Sequence, residues 1–144
     1  MRKINIIVSA LVVVSLLLVT GCKKDDPEPE TARIQKLLAA NTWVIQTVTV
    51  NEVDQTNLFT GLTLSFTKTN FSTTNGGVVW PASGTWEFVD ETAETIVRND
   101  GLQITINEAT NTSLKLALTW STTTLGGGRT ASVAGDHEFS FIKD

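Results

Sequence analysis

This 144-residue chain contains a single histidine, His137, which limits the catalytic arrangements that it can form. A Ser-His-Asp arrangement would have to use it, yet Asp136 is adjacent in sequence and so points to the opposite face of a strand. The chain has no Gly-x-Ser-x-Gly motif to expose a nucleophile. We therefore expect no enzymatic activity, and we interpret His137 as a rim residue at the start of the last strand.

Metal chemistry is limited by the side chains available. Zinc requires three or four ligands, mostly nitrogen or sulfur, and the sequence offers His137 and one cysteine, Cys22. Asp90, Glu91 and Glu94 group oxygens that calcium could use, but their spacing lacks the EF-hand pattern and fits a solvated loop. We expect neither a metal nor a cofactor.

A glycosidase would need two carboxyl groups that face each other across the scissile bond. Glu87 and Glu138 are candidates, since both lie in strand-like segments. Each alternates with large aromatic residues, which predicts that both point outward. Glycoside hydrolysis is therefore not expected.

Four tryptophans carry the remaining signal for binding, in a chain that lacks tyrosine. One interpretation is a filled core, because an eight-stranded barrel is just wide enough for its own side chains. The other is a pocket, open at one end, for an apolar or sugar-like ligand. Its candidate lining residues share inward strand positions: Trp86, Phe88, Ile104, Leu116 and Trp120. Trp80 lies in a glycine-flanked loop, where it is either an exposed contact residue or packed across the barrel mouth.

The amino terminus has the pattern of an export signal. Arg2 and Lys3 precede a run of 14 residues, Ile6 to Val19, that is interrupted only by small residues. As a helix this run is roughly 21 Å long, short of the roughly 30 Å hydrocarbon core of a bilayer. We predict a signal peptide over residues 1–21 rather than a transmembrane anchor.

The end of this segment resembles the lipobox of bacterial lipoproteins. It reads Leu18-Val19-Thr20-Gly21-Cys22, an aliphatic residue and small residues before a cysteine. Cys22 is the only cysteine, so it cannot form a disulfide within the chain. The resemblance implies that Cys22 carries the acyl chains that hold the mature protein on the membrane.

Residues 22–32 are predicted to be a lipidated, flexible tether, because Lys23 to Glu30 offers no apolar side chain to bury. This segment resembles the lysine-plus-acidic signal of surface-exposed lipoproteins in Bacteroidota-type bacteria. That resemblance implies the outer membrane and its outer face, with the periplasmic face as the alternative. Without Arg2 and Lys3 the 11 basic residues fall to 9 against 15 acidic ones, a net charge of −6, so nucleic acid is not an expected partner.

The remaining sequence predicts one short helix followed by strands. Ile34, Leu37 and Leu38 recur at helical spacing, with Thr31 as the N-cap and Asn41 as the stop. Five later segments alternate apolar and polar residues, as half-buried antiparallel strands do: 62–67, 85–88, 102–107, 113–120 and 138–141. Three weaker strands bring the count to eight: 43–50, 71–74 and 96–98.

Turn residues separate these segments. Asp100-Gly101 predicts a two-residue hairpin with positive φ at both positions, and Asn75-Gly76 and Asn111 mark further turns. The glycine-rich stretch 121–135 is either a mobile lip or two strand ends joined at Gly126-Gly127-Gly128.

The predicted fold is all-β: an eight-stranded antiparallel up-and-down barrel over residues 33–144, with an open β-sandwich as the alternative. Its sequence resembles the lipocalin-like domains of Bacteroidota-type lipoproteins. The stretches that carry the resemblance are Asn41-Thr42-Trp43, Leu62-Thr63-Leu64-Ser65-Phe66, Ser83-Gly84-Thr85-Trp86-Glu87-Phe88, Thr112-Ser113-Leu114-Lys115-Leu116 and Gly135-Asp136-His137-Glu138-Phe139. The resemblance implies that Trp43 closes the barrel floor. Asn41 stands in place of the family's glycine, and Lys143 is a poor substitute for the arginine that covers this indole in lipocalins.

Two functions from different classes fit these observations. The first is a non-catalytic binding module, anchored on the outer membrane, that holds a small hydrophobic or glycan ligand. The second is a structural or interaction lipoprotein whose filled barrel contacts another envelope protein. The two differ in whether the barrel interior is full.

Replacing Cys22 with Ala should abolish the incorporation of labelled palmitate, because the thiol is the expected attachment site. Thr20→Ser is the matched control: it keeps a small residue before the cysteine and should label normally. Metabolic labelling of cells that express each variant measures the difference. Continued labelling of the Cys22→Ala variant would contradict the lipobox interpretation.

Overall fold

A computed structural model describes residues 21, 26–126 and 129–144 of the chain. Residues 1–20 of the predicted signal peptide and the predicted lipidation site, Cys22, lie outside the described residues. Among the residues that are described, no helix has the length and apolar character needed to cross a membrane.

The described chain contains one α-helix, α1 (Glu30–Ala39), one short 3-10 helix (Thr56–Phe59) and eleven strands. The strands are β1 Thr42–Val50, β2 Val53–Asp54, β3 Thr63–Phe66, β4 Asn70–Thr74, β5 Ser83–Phe88, β6 Thr95–Arg98, β7 Gln103–Ala109, β8 Ser113–Trp120, β9 Thr124–Gly126, β10 Arg129–Ser132 and β11 Gly135–Lys143. All eight predicted strands are present, and β2, β9 and β10 are additional short ones.

Eight of these strands form a closed antiparallel barrel. Each strand pairs with its neighbour in the order β1, β3, β4, β5, β6, β7, β8, β11, and β11 pairs back onto β1. The closing ladder runs from Trp43 opposite Lys143 to Val50 opposite His137. This pairing leaves no exposed edge in the barrel and excludes the open sandwich. The predicted all-β up-and-down barrel is confirmed, and it is consistent with a lipocalin-like fold.

The two ends of the barrel differ. At the end where β1 begins, called the floor here, α1 packs against the strands, and the buried Trp43 donates its indole N–H to the Leu38 carbonyl (2.9 Å). Gln35 of the helix also donates to the carbonyl of Lys68 in the β3–β4 turn. The opposite end, called the mouth, carries the loops 51–62, 75–82, 99–102 and 121–134.

The helix starts earlier than its sequence suggests. Its N-cap is Pro29, whose carbonyl accepts the first helical bond from Arg33 N (3.1 Å), and no side chain caps this end. Thr31 lies inside the first turn, so its prediction as N-cap was wrong. Glu30 can open the helix because its carboxylate accepts a hydrogen bond from Arg33 Nε one turn later (2.9 Å). Asn41 follows the helix end, as predicted.

Two β-bulges explain why strict alternation fails in part of the sequence. In β1 the register shifts between Ile45 and Thr47, so the inward positions change from Trp43 before the bulge to Val48 after it. In β7 the register shifts between Ile106 and Glu108. An extra residue reverses the side-chain phase downstream, and β1 therefore gives only a weak period-2 signal.

The Asp100-Gly101 hairpin forms, but not with the predicted turn. Only Gly101 has a positive φ, +85°. Its N–H donates to Arg98 O (2.8 Å), and Arg98 N donates to Leu102 O (3.0 Å), so the loop spans three residues. Glycine takes the third, left-handed position, the usual arrangement of three-residue hairpins. The turn with two positive φ values is Asn51-Glu52, between β1 and β2.

The closed seam at the mouth depends on Gly135. Its φ of +142° suits glycine, and an added Cβ would lie 2.6 Å from Asn51 Nδ2. Asn51 is fixed in that position because its Oδ1 accepts from Asp136 N and its own N–H donates to Asp136 O (both 2.9 Å). The β1–β2 turn is thereby fastened to the start of β11.

Below the mouth the barrel interior is filled. Phe139 of β11 is fully buried at its centre, with Phe59 of the 3-10 helix edge-on at 5.0 Å and Trp80 edge-on at 5.7 Å between ring centroids. Phe141 stacks beneath it at 6.2 Å. The surrounding core residues are all less than 6% exposed: Leu62, Leu64, Phe66, Phe71, Trp86, Ile96, Ile104, Leu114, Leu116 and Leu118.

Trp86→Ala should lower the free energy of unfolding by roughly 3–5 kcal/mol, since it removes a large side chain from a filled core. Glu87→Ala is the matched control: it changes the neighbouring exposed residue and should stay within about 0.5 kcal/mol of the parent. Urea unfolding followed by far-UV circular dichroism measures both. A loss below about 1 kcal/mol for Trp86→Ala would argue for an open interior.

Candidate ligand site at the barrel mouth

The six residues predicted to bind a ligand do not form one open pocket. Ile104 and Leu116 are fully buried in the core. Trp86 is 4% exposed and donates its indole N–H to the carbonyls of Thr67 and Asn70, both at 3.1 Å. Phe88 is half-buried, with its ring edge-on to Trp86. The structure thus places these four side chains in or against the core.

Trp80 packs across the mouth, the second of its two predicted positions. It is 1% exposed, and its ring lies edge-on to Phe71 (6.2 Å) as well as to Phe139. The inward fold of the loop requires glycine at position 76, because a Cβ at this position would lie 2.4 Å from Trp80 Cβ. The interpretation of Trp80 as an exposed contact residue is therefore wrong.

Arg98 holds this loop in place and was missed in the sequence. Its side chain is nearly fully buried, its Nη1 donates to Val79 O (2.7 Å), and its guanidinium lies 5.5 Å from the Trp80 ring. Asp100 neutralises it through Nε (3.1 Å) and Nη2. The hydrogen bonds from Arg98 lower the pKa of the Asp100 carboxyl. The sequence did contain evidence for a buried Arg98, since it lies two residues after Ile96 and therefore on the apolar, inward face of β6.

Arg98 also departs from what the lipocalin resemblance implies. The resemblance predicts an arginine over the indole at the floor, whereas this chain pairs Lys143 with Trp43 in the closing ladder. The buried arginine instead lies at the mouth, over Trp80. The cation–π contact between Arg98 and Trp80 therefore lies at the mouth and not at the floor.

His137 lies at the mouth end of β11, as predicted, but its ring is buried rather than on the rim. It is 2% exposed and stacks on Phe139 at 5.7 Å with an interplanar angle of 15°. Nδ1 lies 3.0 Å from Gly135 O, and because a carbonyl only accepts, Nδ1 carries the proton. Burial lowers the pKa of His137, so the ring is neutral at pH 7 and Nε2 presents a lone pair.

Within the described part of the chain, three buried polar atoms near the mouth have no hydrogen-bond partner: Trp80 Nε1, Trp120 Nε1 and His137 Nε2. Each unsatisfied group of this kind costs about 1–3 kcal/mol, a large cost beside the total stability of a small domain. Trp120 lies opposite Gly135 and Leu118 opposite His137, so Trp120 and His137 are diagonal neighbours across the β8–β11 ladder. Diagonal pairs of aromatic residues lie within reach of each other.

A groove of about 440 Å³ reaches His137 from outside, between Leu102, Gln103 and Leu118. A second, of about 430 Å³, reaches it past Asn51 and Glu52. Asp136 and Ala117 line both grooves. The small side chain of Ala117 leaves space between the neighbouring outward residues.

The carboxylates considered in the sequence analysis do not come together. Glu87 and Glu138 are exposed on the outer face, as predicted. Asp90 accepts hydrogen bonds from the backbone and hydroxyl of Thr92, which lower the pKa of its carboxyl. Within residues 21, 26–126 and 129–144, no three His, Cys, Asp or Glu side chains are grouped to hold a metal ion.

The glycine-rich stretch before β11 contains two paired strands, β9 and β10, which form a separate two-stranded sheet. The prediction of two strand segments in this stretch agrees with this pairing. Gly127 and Gly128, the centre of the predicted connection, lie outside the described residues.

The barrel, its floor helix and its mouth define the class of protein as a small closed β-barrel domain. Comparisons with protein-family models, with curated proteins and with solved structures found no match for the chain.

The free energy of unfolding should fall as the pH is lowered from 7 to 5, because His137 is neutral and buried in the folded state. Its pKa is lowered on folding, so below about 6.5 the unfolded chain binds more protons than the folded one, and stability rises with pH in this window. Urea titrations at a series of pH values measure the slope.

His137→Phe is the control for this slope, since it keeps an aromatic ring against Phe139 and removes the titrating group. The variant should show a flatter profile between pH 5 and 7. Asp54, Asp90 and Asp100 titrate below this range, because hydrogen bonds lower their pKa values. An unchanged slope in the variant would show that His137 is not responsible.

Proposed function

We propose that the protein is a non-catalytic, outer-membrane lipoprotein, lipid-anchored through Cys22, whose filled barrel contacts another component of the cell envelope. The proposal of surface exposure is supported by the charged segment after the cysteine, which resembles the lysine-plus-acidic signal of surface-exposed lipoproteins. The filled interior is the observation that favours an interaction role over an interior ligand. Ile104 and Leu116, which an interior ligand would touch, are fully buried by other side chains.

The geometry of the floor supports contact through the mouth. The chain enters the barrel through α1, which packs on the floor, and the floor is therefore the end nearest to the tether. The mouth lies at the far end of every barrel strand. Of the four exposed large apolar side chains in the described residues, Val53 (59% exposed) and Val78 (44%) lie at the mouth, whereas Val89 and Ile142 lie at the floor end.

An interior ligand is the second candidate, and it would require the core side chains to move. The observation that favours ligand binding at all lies at the mouth, where Trp80, Trp120 and His137 each have a buried polar atom without a hydrogen-bond partner among the described residues. This observation points to a small polar ligand at the mouth rather than to a hydrophobic ligand held inside.

Site-specific photo-crosslinking in intact cells tests the proposed contact. A photoreactive amino acid at Val78, at the mouth, should give adducts with an envelope component. The same residue at Val89 is the matched control, since Val89 is equally exposed (46%) but lies at the floor end. Both valines are exposed and lie outside the core cluster, so neither substitution removes a core residue.

Adducts at Val78 but not at Val89 would support the proposal, and protease shaving of the same cells would place the domain on the outer face. Adducts at both positions would indicate nonspecific proximity, and adducts at neither would contradict the interaction role. Resistance of the domain to protease in intact cells would contradict surface exposure and favour the periplasmic face.

A further inference from the structure

We propose that residues 76–80 form a lid over the barrel interior, and that the ion pair of Arg98 and Asp100 is the latch that holds this lid closed. The lid is the tip of the mouth loop between β4 and β5. When it opens, the rings of Phe71 and Phe139 become accessible from the mouth, whereas in the closed structure they are only 3% and 0% exposed. The inference goes beyond the proposed envelope contact and depends neither on that contact nor on the lipid anchor.

The base of this loop is fixed on both sides of the lid. Asn75 Nδ2 donates to Gly61 O (3.1 Å), and Thr73 Oγ1 donates to Pro81 O (2.7 Å). Between these two points the lid folds on itself as a single turn, closed by a backbone hydrogen bond from its last residue to its first (3.1 Å). A turn that carries its own hydrogen bond can move as a unit about a fixed base, so the flanking strands do not have to separate when the lid opens.

Trp80 is the residue through which the lid contacts the core. Its ring lies edge-on to Phe139, with 5.7 Å between the ring centroids, and 5.5 Å from the guanidinium of Arg98. Trp43 and Trp86 are also buried, but they belong to the barrel strands β1 and β5. Because Trp80 is carried by a loop, it can leave the core while the barrel stays closed.

Arg98 joins the lid to the barrel, and Asp100 keeps Arg98 in place. The Arg98 side chain is 1% exposed, and its Nη1 donates to Val79 O of the lid (2.7 Å). A buried guanidinium requires a counter-charge, which Asp100 supplies by accepting from Nε (3.1 Å) and Nη2. The Asp100 side chain is itself 44% exposed, so the latch is assembled from the solvent side. Without this carboxylate the guanidinium is better solvated in water, and its movement outward breaks the bond to Val79 O.

Native-state hydrogen exchange of the ¹⁵N-labelled mature lipidated protein in detergent micelles tests the lid. The Trp80 indole proton meets solvent whenever the lid opens, whereas the backbone amides of the β8–β11 ladder are released when the barrel unfolds. We expect the Trp80 proton to exchange faster than these amides. Its rate should be nearly independent of urea below the unfolding transition, because a local opening exposes little surface, while the ladder amides should exchange faster as urea is added. Trp80→Phe, which lacks the signal, assigns it.

Asp100→Asn tests the latch. It removes the charge but retains the side-chain oxygen that accepts from Leu102 N (3.2 Å), so the hairpin turn is kept. Exchange of the Trp80 indole proton should become about ten- to a hundredfold faster, the effect of losing one charge-assisted hydrogen bond. Asp54→Asn is the matched control, since Asp54 is also an exposed mouth carboxylate that accepts from a backbone N–H, that of Thr56 (2.8 Å). It changes the net charge equally and should leave the Trp80 rate within about twofold of the parent.

Three results would overturn the inference. A Trp80 proton that exchanges at the rate of the ladder amides, with the same dependence on urea, would show that the loop opens only when the whole barrel unfolds. Equal acceleration of Trp80 and the ladder amides in the Asp100→Asn variant, or loss of folding, would show that the ion pair stabilises the barrel as a whole rather than the lid. An unchanged Trp80 rate in that variant would show that Asp100 does not hold the lid. The measurement on the parent protein requires no substitution, so it decides whether the lid opens even when a variant does not fold.

Discussion

The contact on which the structure most depends is the packing of Phe139 at the centre of the barrel. Phe59 comes to it from the 3-10 helix, Trp80 from a mouth loop, and His137 and Phe141 from its own strand. One ring thus joins a barrel strand to two of the loops that close the mouth. Because the interior of an eight-stranded barrel has little room beyond its own side chains, this aromatic cluster turns a potential cavity into a core.

The filled interior changes what the fold can do. In a barrel of this size, a ligand and a packed aromatic core compete for the same space. Here the core occupies the interior, and the buried polar atoms that lack a hydrogen-bond partner among the described residues lie at the mouth. The mouth is also the end away from the floor helix. Exposed apolar side chains are found at both ends of the described barrel, Val53 and Val78 at the mouth and Val89 and Ile142 at the floor. The buried Arg98 fixes the loop that carries one of them.

The sequence predicted the fold well because alternation, turn residues and strand count all agree. It failed where one residue changes the phase, as at the β1 bulge, and where a turn admits several geometries, as at Gly101. The candidate site was only partly predictable. Trp80 and Trp120 were identified by residue type, but the roles of Arg98 and His137 depend on long-range contacts. Alternation shows which face a residue occupies, and it does not show which loop covers it.

The closing ladder has a consequence for how the domain acquires its structure. Trp43 pairs with Lys143, so the barrel is completed by partners separated by 100 residues. Contacts between such distant segments slow folding, since the entropy of closing the loop is lost before the pairing compensates for it. Most strand pairs here join neighbours along the chain and can form early. The strand that carries Phe139 is the last to be made and closes the ring, so sealing the edges and completing the core are expected to be a single, late and cooperative event.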